Sequence, residues 1–297
     1  MELTKGATFD TIKDIRAENP DAVANMLASR KRRELIRGDG KLLIIAADHP
    51  ARGAIAVGSN PTAMGSRRDL LDRFAEALSN PLVDGVLGTP DVIDELALMG
   101  LLDDKIVVGS MNRGGLRGSS FEFDDRFTGY SIDAIKKQGL DFAKTLLRIN
   151  LQDKASVATL EANARAVDAA FENKLPIMLE PFMSEWVNGK VVNDLSTEAV
   201  VLSVAIAQGL GVSSAYTWLK LPVVANMEKV MEATTLPTLL LGGDVDGDQD
   251  KAFESWNGAL SLPGVRGLVV GRSLLYPTNG DVSQAVDIAA KMVHGSN

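Results

Sequence analysis

One lysine closes an apolar run, Ala215-Tyr216-Thr217-Trp218-Leu219-Lys220. Burying an ammonium is costly, so a lysine in that position needs a compensating reason. One reason is an ion pair, with Lys220 tied to Glu180 or Asp48. The other is nucleophilic chemistry. Attack on a carbonyl requires the neutral amine, and a free lysine has a pKa of about 10.4. Lowering it by about three pH units costs about 4 kcal/mol, which desolvation and a neighbouring ammonium can supply. Lys144 is the candidate neighbour. Asp48 follows the apolar run Leu42-Leu43-Ile44-Ile45-Ala46-Ala47, and Glu180 ends Leu175-Pro176-Ile177-Met178-Leu179, so both carboxylates repeat the pattern of Lys220.

Other chemistries find little support. The chain has no cysteine, which excludes disulfides, thiolate metal sites and thiol nucleophiles. Its two histidines are His49 and His294, the latter in the C-terminal tail, so a histidine-rich zinc site cannot be built. No metal and no cofactor are expected. His49 reads as a hydrogen-bonded neighbour of Asp48. The stretch Asp244-Val245-Asp246-Gly247-Asp248 lacks the length and closing glutamate of a calcium loop and reads as a solvated turn. A net charge of −8 and a pI of about 5.0 argue against a nucleic-acid surface. The one basic run, Arg30-Lys31-Arg32-Arg33, reads as a solvated helix face, with phosphate or partner binding as its second reading. No apolar segment has the length of a membrane span, and the first residues lack the apolar core of a signal peptide. The cytoplasm is the default location.

These polar residues need elements to hold them. Eight short apolar runs recur, at 42–47, 82–88, 105–109, 142–147, 175–180, 215–220, 237–242 and 267–271. Each is nearly continuous in apolar character, as parallel strands covered on both faces require. Amphipathic stretches at 68–78, 155–173, 197–208 and 282–293 separate some of them. The alternation predicts an α/β chain folded as one (β/α)8 barrel spanning 1–297, a size such a barrel comfortably fills. Residues 1–40 are expected to form an N-terminal helical extension, with a helix over about 21–36 covering the barrel bottom. An open doubly wound sheet would carry a glycine-rich turn after its first strand, and Asp48-His49-Pro50-Ala51-Arg52-Gly53 is not one.

In this fold the active site lies at the carboxyl ends of the strands, and phosphate is often held after the last two. Asp48, Glu180 and Lys220 fall at such ends, whereas Lys144 falls near the start of its run. Gly242-Gly243 follows the seventh run, and Gly271-Arg272 ends the eighth. Paired glycines let backbone N–H groups approach an anion, and Arg272 can add a bidentate contact. Tight turns alone would also explain the glycines. Two such turns at consecutive strand ends shift the balance toward phosphate, and with it toward the nucleophilic reading of Lys220.

In order along the chain, the motifs resemble the class I, Schiff-base aldolase superfamily, nearest the tagatose-bisphosphate and sulfofructose-phosphate aldolase branch. The archaeal-type fructose-bisphosphate and deoxyribose-phosphate aldolases belong to the same group. The matching segments are Ala46-Ala47-Asp48-His49-Pro50-Ala51-Arg52-Gly53, Gly139-Leu140-Asp141-Phe142-Ala143-Lys144-Thr145-Leu146-Leu147, Leu179-Glu180-Pro181, Lys220, and Val265-Arg266-Gly267-Leu268-Val269-Val270-Gly271-Arg272. The resemblance implies a phosphorylated keto-sugar or keto-acid substrate, with dihydroxyacetone phosphate as the ketone fragment. Lys220 is then the Schiff-base lysine and Glu180 the proton shuttle. Asp48 orients substrate hydroxyls and the Lys220 amine, and Lys144 lowers the Lys220 pKa. Gly242, Gly243, Gly271 and Arg272 hold phosphate, and Arg52 and His49 complete the binding set. Homo-oligomers are common among such enzymes and are an expectation here too. Two departures point to a different substrate. His49-Pro50-Ala51 replaces the usual glutamine, and Phe182 stands near the place of a catalytic tyrosine in the archaeal-type enzymes. Two rival functions stay in view: a thiolase-like acyltransferase acting on a phosphorylated diketone, and a phosphosugar-binding barrel without catalysis.

Overall fold

The apolar runs form a parallel sheet that closes on itself. The computed structural model describes residues 6–242 and 249–295. Its strands are β1 (Leu42–Ala47), β2 (Gly85–Gly88), β3 (Ile106–Ser110), β4 (Phe142–Ile149), β5 (Ile177–Val187), β6 (Lys190–Asn193), β7 (Thr217–Pro222), β8 (Thr238–Leu241) and β9 (Val265–Val270). All but β6 pair in parallel, in the circular order β1-β2-β3-β4-β5-β7-β8-β9 and back to β1. This is the expected (β/α)8 barrel. At the closing seam Gly267 has a φ of 121°, and a Cβ there would sit 1.9 Å from the Leu42 carbonyl oxygen. Only glycine allows β9 to lie this close to β1.

Alternation along each strand divides the core in two. Leu42, Ile44, Ala46, Ile106, Val108, Phe142, Met178, Leu239 and Val269 fill the barrel interior. Leu43, Ile45, Ala47, Val107, Leu147 and Leu179 pack outward against the helices. Those helices are α1 (Phe9–Glu18), α2 (Ala22–Ser29), α3 (Arg67–Leu78), α4 (Pro90–Leu98), α5 (Ile132–Lys137), α6 (Ala155–Asn173), α7 (Thr197–Ala207), α8 (Met227–Glu232), α9 (Gln249–Leu260), α10 (Arg272–Leu275) and α11 (Val282–His294). Among the described residues no helix is long and apolar enough to cross a membrane.

The N-terminal segment departs from expectation in two ways. It opens with α1, capped reciprocally by Thr8 and Thr11, where no separate helix was foreseen. The helix expected over 21–36 ends at Ser29, and the chain continues extended from Arg30. The basic run is therefore not a solvated helix face. Arg30 and Arg32 both reach Asp141, at 2.6 and 2.7 Å, and Arg33 reaches Asp84 at 2.6 Å. In an extended chain residues two apart point the same way, whereas in a helix they do not. Asp84 and Asp141 directly precede β2 and β4, so the run crosses the amino-terminal ends of the strands. Leu35 packs there against the barrel interior.

His294 also belongs to this end rather than to a loose tail. It ends α11 with Nδ1 2.8 Å from Asp39 and Nε2 3.0 Å from Asp84. At the opposite end β5 runs on past Glu180 and turns at Asn188 and Gly189, with φ of 50° and 74°, into antiparallel β6. Asn-Gly is the residue pair that a two-residue hairpin turn favours.

Candidate active site

The same parity that fills the barrel sets the site above it. Asp48 follows inward-facing Ala46 by two residues, Lys144 follows Phe142, Glu180 follows Met178, and Lys220 follows Trp218, so each polar side chain points into the mouth. Lys144 is third in β4, but β4 runs to Ile149 and Lys144 pairs with Ser110, the last residue of β3. It therefore stands at the carboxyl end of its neighbour strand, level with the others.

The four side chains form one chain of contacts. Lys220 Nζ lies 3.0 Å from Glu180 Oε1, Lys144 Nζ lies 2.5 Å from Glu180 Oε2, and Lys144 Nζ donates to Asp48 Oδ2 at 2.8 Å. Both lysine side chains are only 3% exposed. Ser110 Oγ donates to Asp48 Oδ2 at 3.1 Å, and Arg113 donates to Ser110 Oγ at 2.5 Å. Asp48 thus holds Lys144 and Ser110. It makes no ion pair with Lys220 among the described residues, but its charge acts on the Lys220 amine across the site. The ion-pair and nucleophile readings of Lys220 are not exclusive, because the carboxylate that pairs with it also pairs with Lys144.

Electrostatics separates the two lysines. Burial pulls the Lys220 pKa below its ordinary value, and the Lys144 ammonium adds to this against the pull of Glu180. Burial acts on Lys144 too, but Asp48 and Glu180 outweigh it and raise its pKa. Glu180 resists burial through Lys144 and Lys220 and sits at about 2. Asp48 is likewise held well below the usual carboxylate range, against burial, mainly by Lys144. Of the two amines, Lys220 is the one that gives up its proton more readily.

These residues line a cavity of about 480 Å³ at the carboxyl ends of the strands. His49, Arg52, Gly242, Gly271 and Arg272 also line it. Burial pushes the His49 imidazole down to about 3, so it is neutral at physiological pH, with Nδ1 3.8 Å from Asp48. A Cβ on Gly271 would lie 2.4 Å from the Ala46 carbonyl oxygen, which keeps β9 close to β1 at this end as well. Gly271 caps α10, whose first residue is Arg272. Gly243 and the Asp244–Asp248 stretch lie outside the described residues. Phe182 is a buried part of the wall.

Several lining residues were not anticipated. Arg113, Arg117 and Glu122 come from the segment after β3, and Val191, Asn193 and Leu195 from the β6 hairpin and its exit. Arg148 lies on β4, two and four residues beyond Leu146 and Lys144, and that parity was available in the sequence.

The fold is shared with known proteins. The model of the Cgl0159-like family matches residues 40–290. The crystal structure of Cgl0159 from Corynebacterium glutamicum is 65% identical, covers 96% of each chain and superposes with a TM-score of 0.94. A Schiff-base-forming fructose-1,6-bisphosphate aldolase is 20% identical over 91% of this chain and 99% of its own, with a TM-score of 0.63. An archaeal fructose 1,6-bisphosphate aldolase is 19% identical over 92% and 100%, with a TM-score of 0.64. These aldolases share the barrel that the motifs led us to expect. No curated protein matches the sequence. The extent of the family match and the identity to Cgl0159 together show that the chain belongs to the Cgl0159-like family.

Proposed function

We propose that the protein is a class I aldolase that makes or breaks a carbon–carbon bond in a phosphorylated keto-sugar or keto-acid through a Schiff base on Lys220. The observation that carries this is the pair of buried lysines sharing Glu180, one held as an ammonium and the other drawn toward its neutral form. Asp48 also pairs with Lys144, so Glu180 is the carboxylate that faces both ammonium groups at once. A second ammonium beside the first is the arrangement that activates an amine.

In this reading the Lys220 lone pair attacks the ketone carbon, and its proton passes to Glu180, 3.0 Å away. Glu180 returns that proton to the alkoxide oxygen to give the carbinolamine, and a second proton, taken up from water through Glu180, lets the hydroxyl leave as water and gives the iminium. A base removes the proton of the hydroxyl on the β-carbon, which is the far end of the Cα–Cβ bond to be broken. That bond breaks, its electrons move onto the iminium nitrogen, and the aldehyde departs. Protonation of the enamine and hydrolysis free the ketone and Lys220. Asp48 fixes Lys144 and faces the substrate hydroxyls, with neutral His49 beside it. Gly242, Gly271 and Arg272 receive the phosphate, and Gly243, next to Gly242 in sequence, lies outside the described residues.

The test is borohydride reduction with dihydroxyacetone phosphate and a panel of phosphorylated ketoses and keto-acids, read by intact mass and by product analysis. An adduct with release of free aldehyde supports the aldolase. A thioester formed only with coenzyme A makes it a transferase, and thermal stabilisation without any adduct makes it a binding protein.

A further inference from the structure

One step of the proposed mechanism needs a base with an available lone pair: the removal of the β-hydroxyl proton. Three carboxylates and one imidazole line the cavity among the described residues. Each carboxylate is engaged. Asp48 Oδ2 accepts from Lys144 and Ser110, and each Glu180 oxygen meets a lysine. Glu122 accepts from Arg148 at 2.5 Å and from the Gly118 N–H at 2.8 Å. His49 is the exception.

The His49 Nδ1 is buried with no hydrogen-bond partner among the described residues, and lies 3.8 Å from Asp48 Oδ1. A carboxylate can only accept, so the Asp48 charge favours the proton on Nδ1 and leaves Nε2 its lone pair. The ring sits against the turn that ends β9. Its Cε1 lies 3.4 Å from the point that a Cβ on Gly271 would occupy, and Gly271 caps α10 directly ahead of Arg272. Burial outweighs the pull of Asp48, and the Arg272 and Lys220 charges act with it, so the free imidazole stays neutral and is a weak base. An anion on Arg272 cancels one of the charges that keep the proton off and sets a negative one beside the ring.

We propose that His49 is the acid–base residue at the breaking bond, and that phosphate bound at Arg272 turns it on. Nε2 takes the β-hydroxyl proton, the O–H electrons form the aldehyde carbonyl, and the Cα–Cβ electrons move onto the iminium nitrogen. The imidazolium then gives that same proton to the enamine carbon, so His49 ends neutral and no proton is left over. Between those two steps the bound phosphate offsets the imidazolium charge. The inference rests on the aldolase reading and on Arg272 as the phosphate site.

Two measurements test it. The chain has only two histidines, so the imidazole NMR signals missing from His49→Gln assign His49 in the wild type. Sulfate stands in for phosphate, because it stays a dianion throughout the titration. At about pH 5.5 saturating sulfate is expected to raise the protonated fraction of His49 about tenfold or more, and Arg272→Gln to abolish that change. His49 signals that are the same with and without sulfate would overturn the switch, whether or not any adduct forms on Lys220. The second measurement is hydrogen exchange in D2O at the hydroxymethyl carbon of dihydroxyacetone phosphate, the carbon that the enamine step protonates. His49→Gln is expected to slow it by about 10²–10⁴ while still giving the borohydride adduct on Lys220. Undiminished exchange in that variant, or loss of exchange and adduct together, would overturn the role of His49 and leave the aldolase reading standing. No adduct with the wild type would instead overturn the aldolase reading, and the role of His49 with it.

Discussion

At the scale of the residue, Lys144 is the group on which the proposed reactivity of Lys220 depends. Lys144→Met removes the repelling ammonium and leaves Glu180 and Asp48 free to stabilise a charged Lys220. The Lys220 pKa then rises, and the acid limb of kcat/KM against pH moves to higher pH. Glu180→Gln acts in the other direction, because it removes the carboxylate that favours the Lys220 ammonium. That limb moves to lower pH, while kcat falls by about 10²–10⁴ through loss of the proton shuttle. Opposite displacements in the two pH–rate profiles are the expected result; displacement in the same direction would contradict the assigned couplings. Asp48, Glu180 and Lys220 were legible in the sequence because each ends an apolar run, and the strand period then fixes where each points. Ser110, Arg113 and Glu122 were not. They matter through contacts with residues distant in sequence, such as Ser110 with Asp48 and Glu122 with Arg148, and no local pattern encodes those pairings.

At the scale of the element, the boundaries that held were those set by hydrophobic periodicity, as in β1 and the nineteen residues of α6. The ones that moved were set by tertiary contacts. The basic run after α2 left the helix because Asp84 and Asp141 lie where an extended chain can reach them. The β5–β6 hairpin had a local signal, Asn188-Gly189, but the eightfold strand–helix rhythm gave it no place. The close approach of β9 to β1 gives an element-level prediction. Gly271→Ala pushes a methyl group against the Ala46 carbonyl oxygen, backbone against backbone, so neither can rotate away. Calorimetric unfolding should show a loss of about 1–3 kcal/mol, the range of an overpacked site. An unchanged melting temperature would mean that the two strands are not so closely joined.

At the scale of the whole molecule, charge is sorted between the two ends of the barrel. The bottom is latched by ion pairs that join the first and last segments to the strands, and His294 is one of them. Asp84, 3.0 Å from its Nε2, and its hydrogen-bond partner Asp39 raise its pKa above the ordinary imidazole value. The stabilisation is therefore full below the unfolded value of about 6.5 and fades as the pH rises through the folded pKa. His294→Gln should lower the melting temperature more at pH 6 than at pH 9, and an equal loss at both would remove the ionic part of the latch. The top is the reacting end in the proposed mechanism, in which Lys220, rather than Lys144 beside it, forms the covalent bond. Peptide mapping of the borohydride-reduced adduct with dihydroxyacetone phosphate tests this most directly. Modification on Lys220, absent from Lys220→Arg, with Lys144 unmodified, is the expected result; an adduct on Lys144, or none with any phosphorylated ketone, would contradict the Lys220 mechanism.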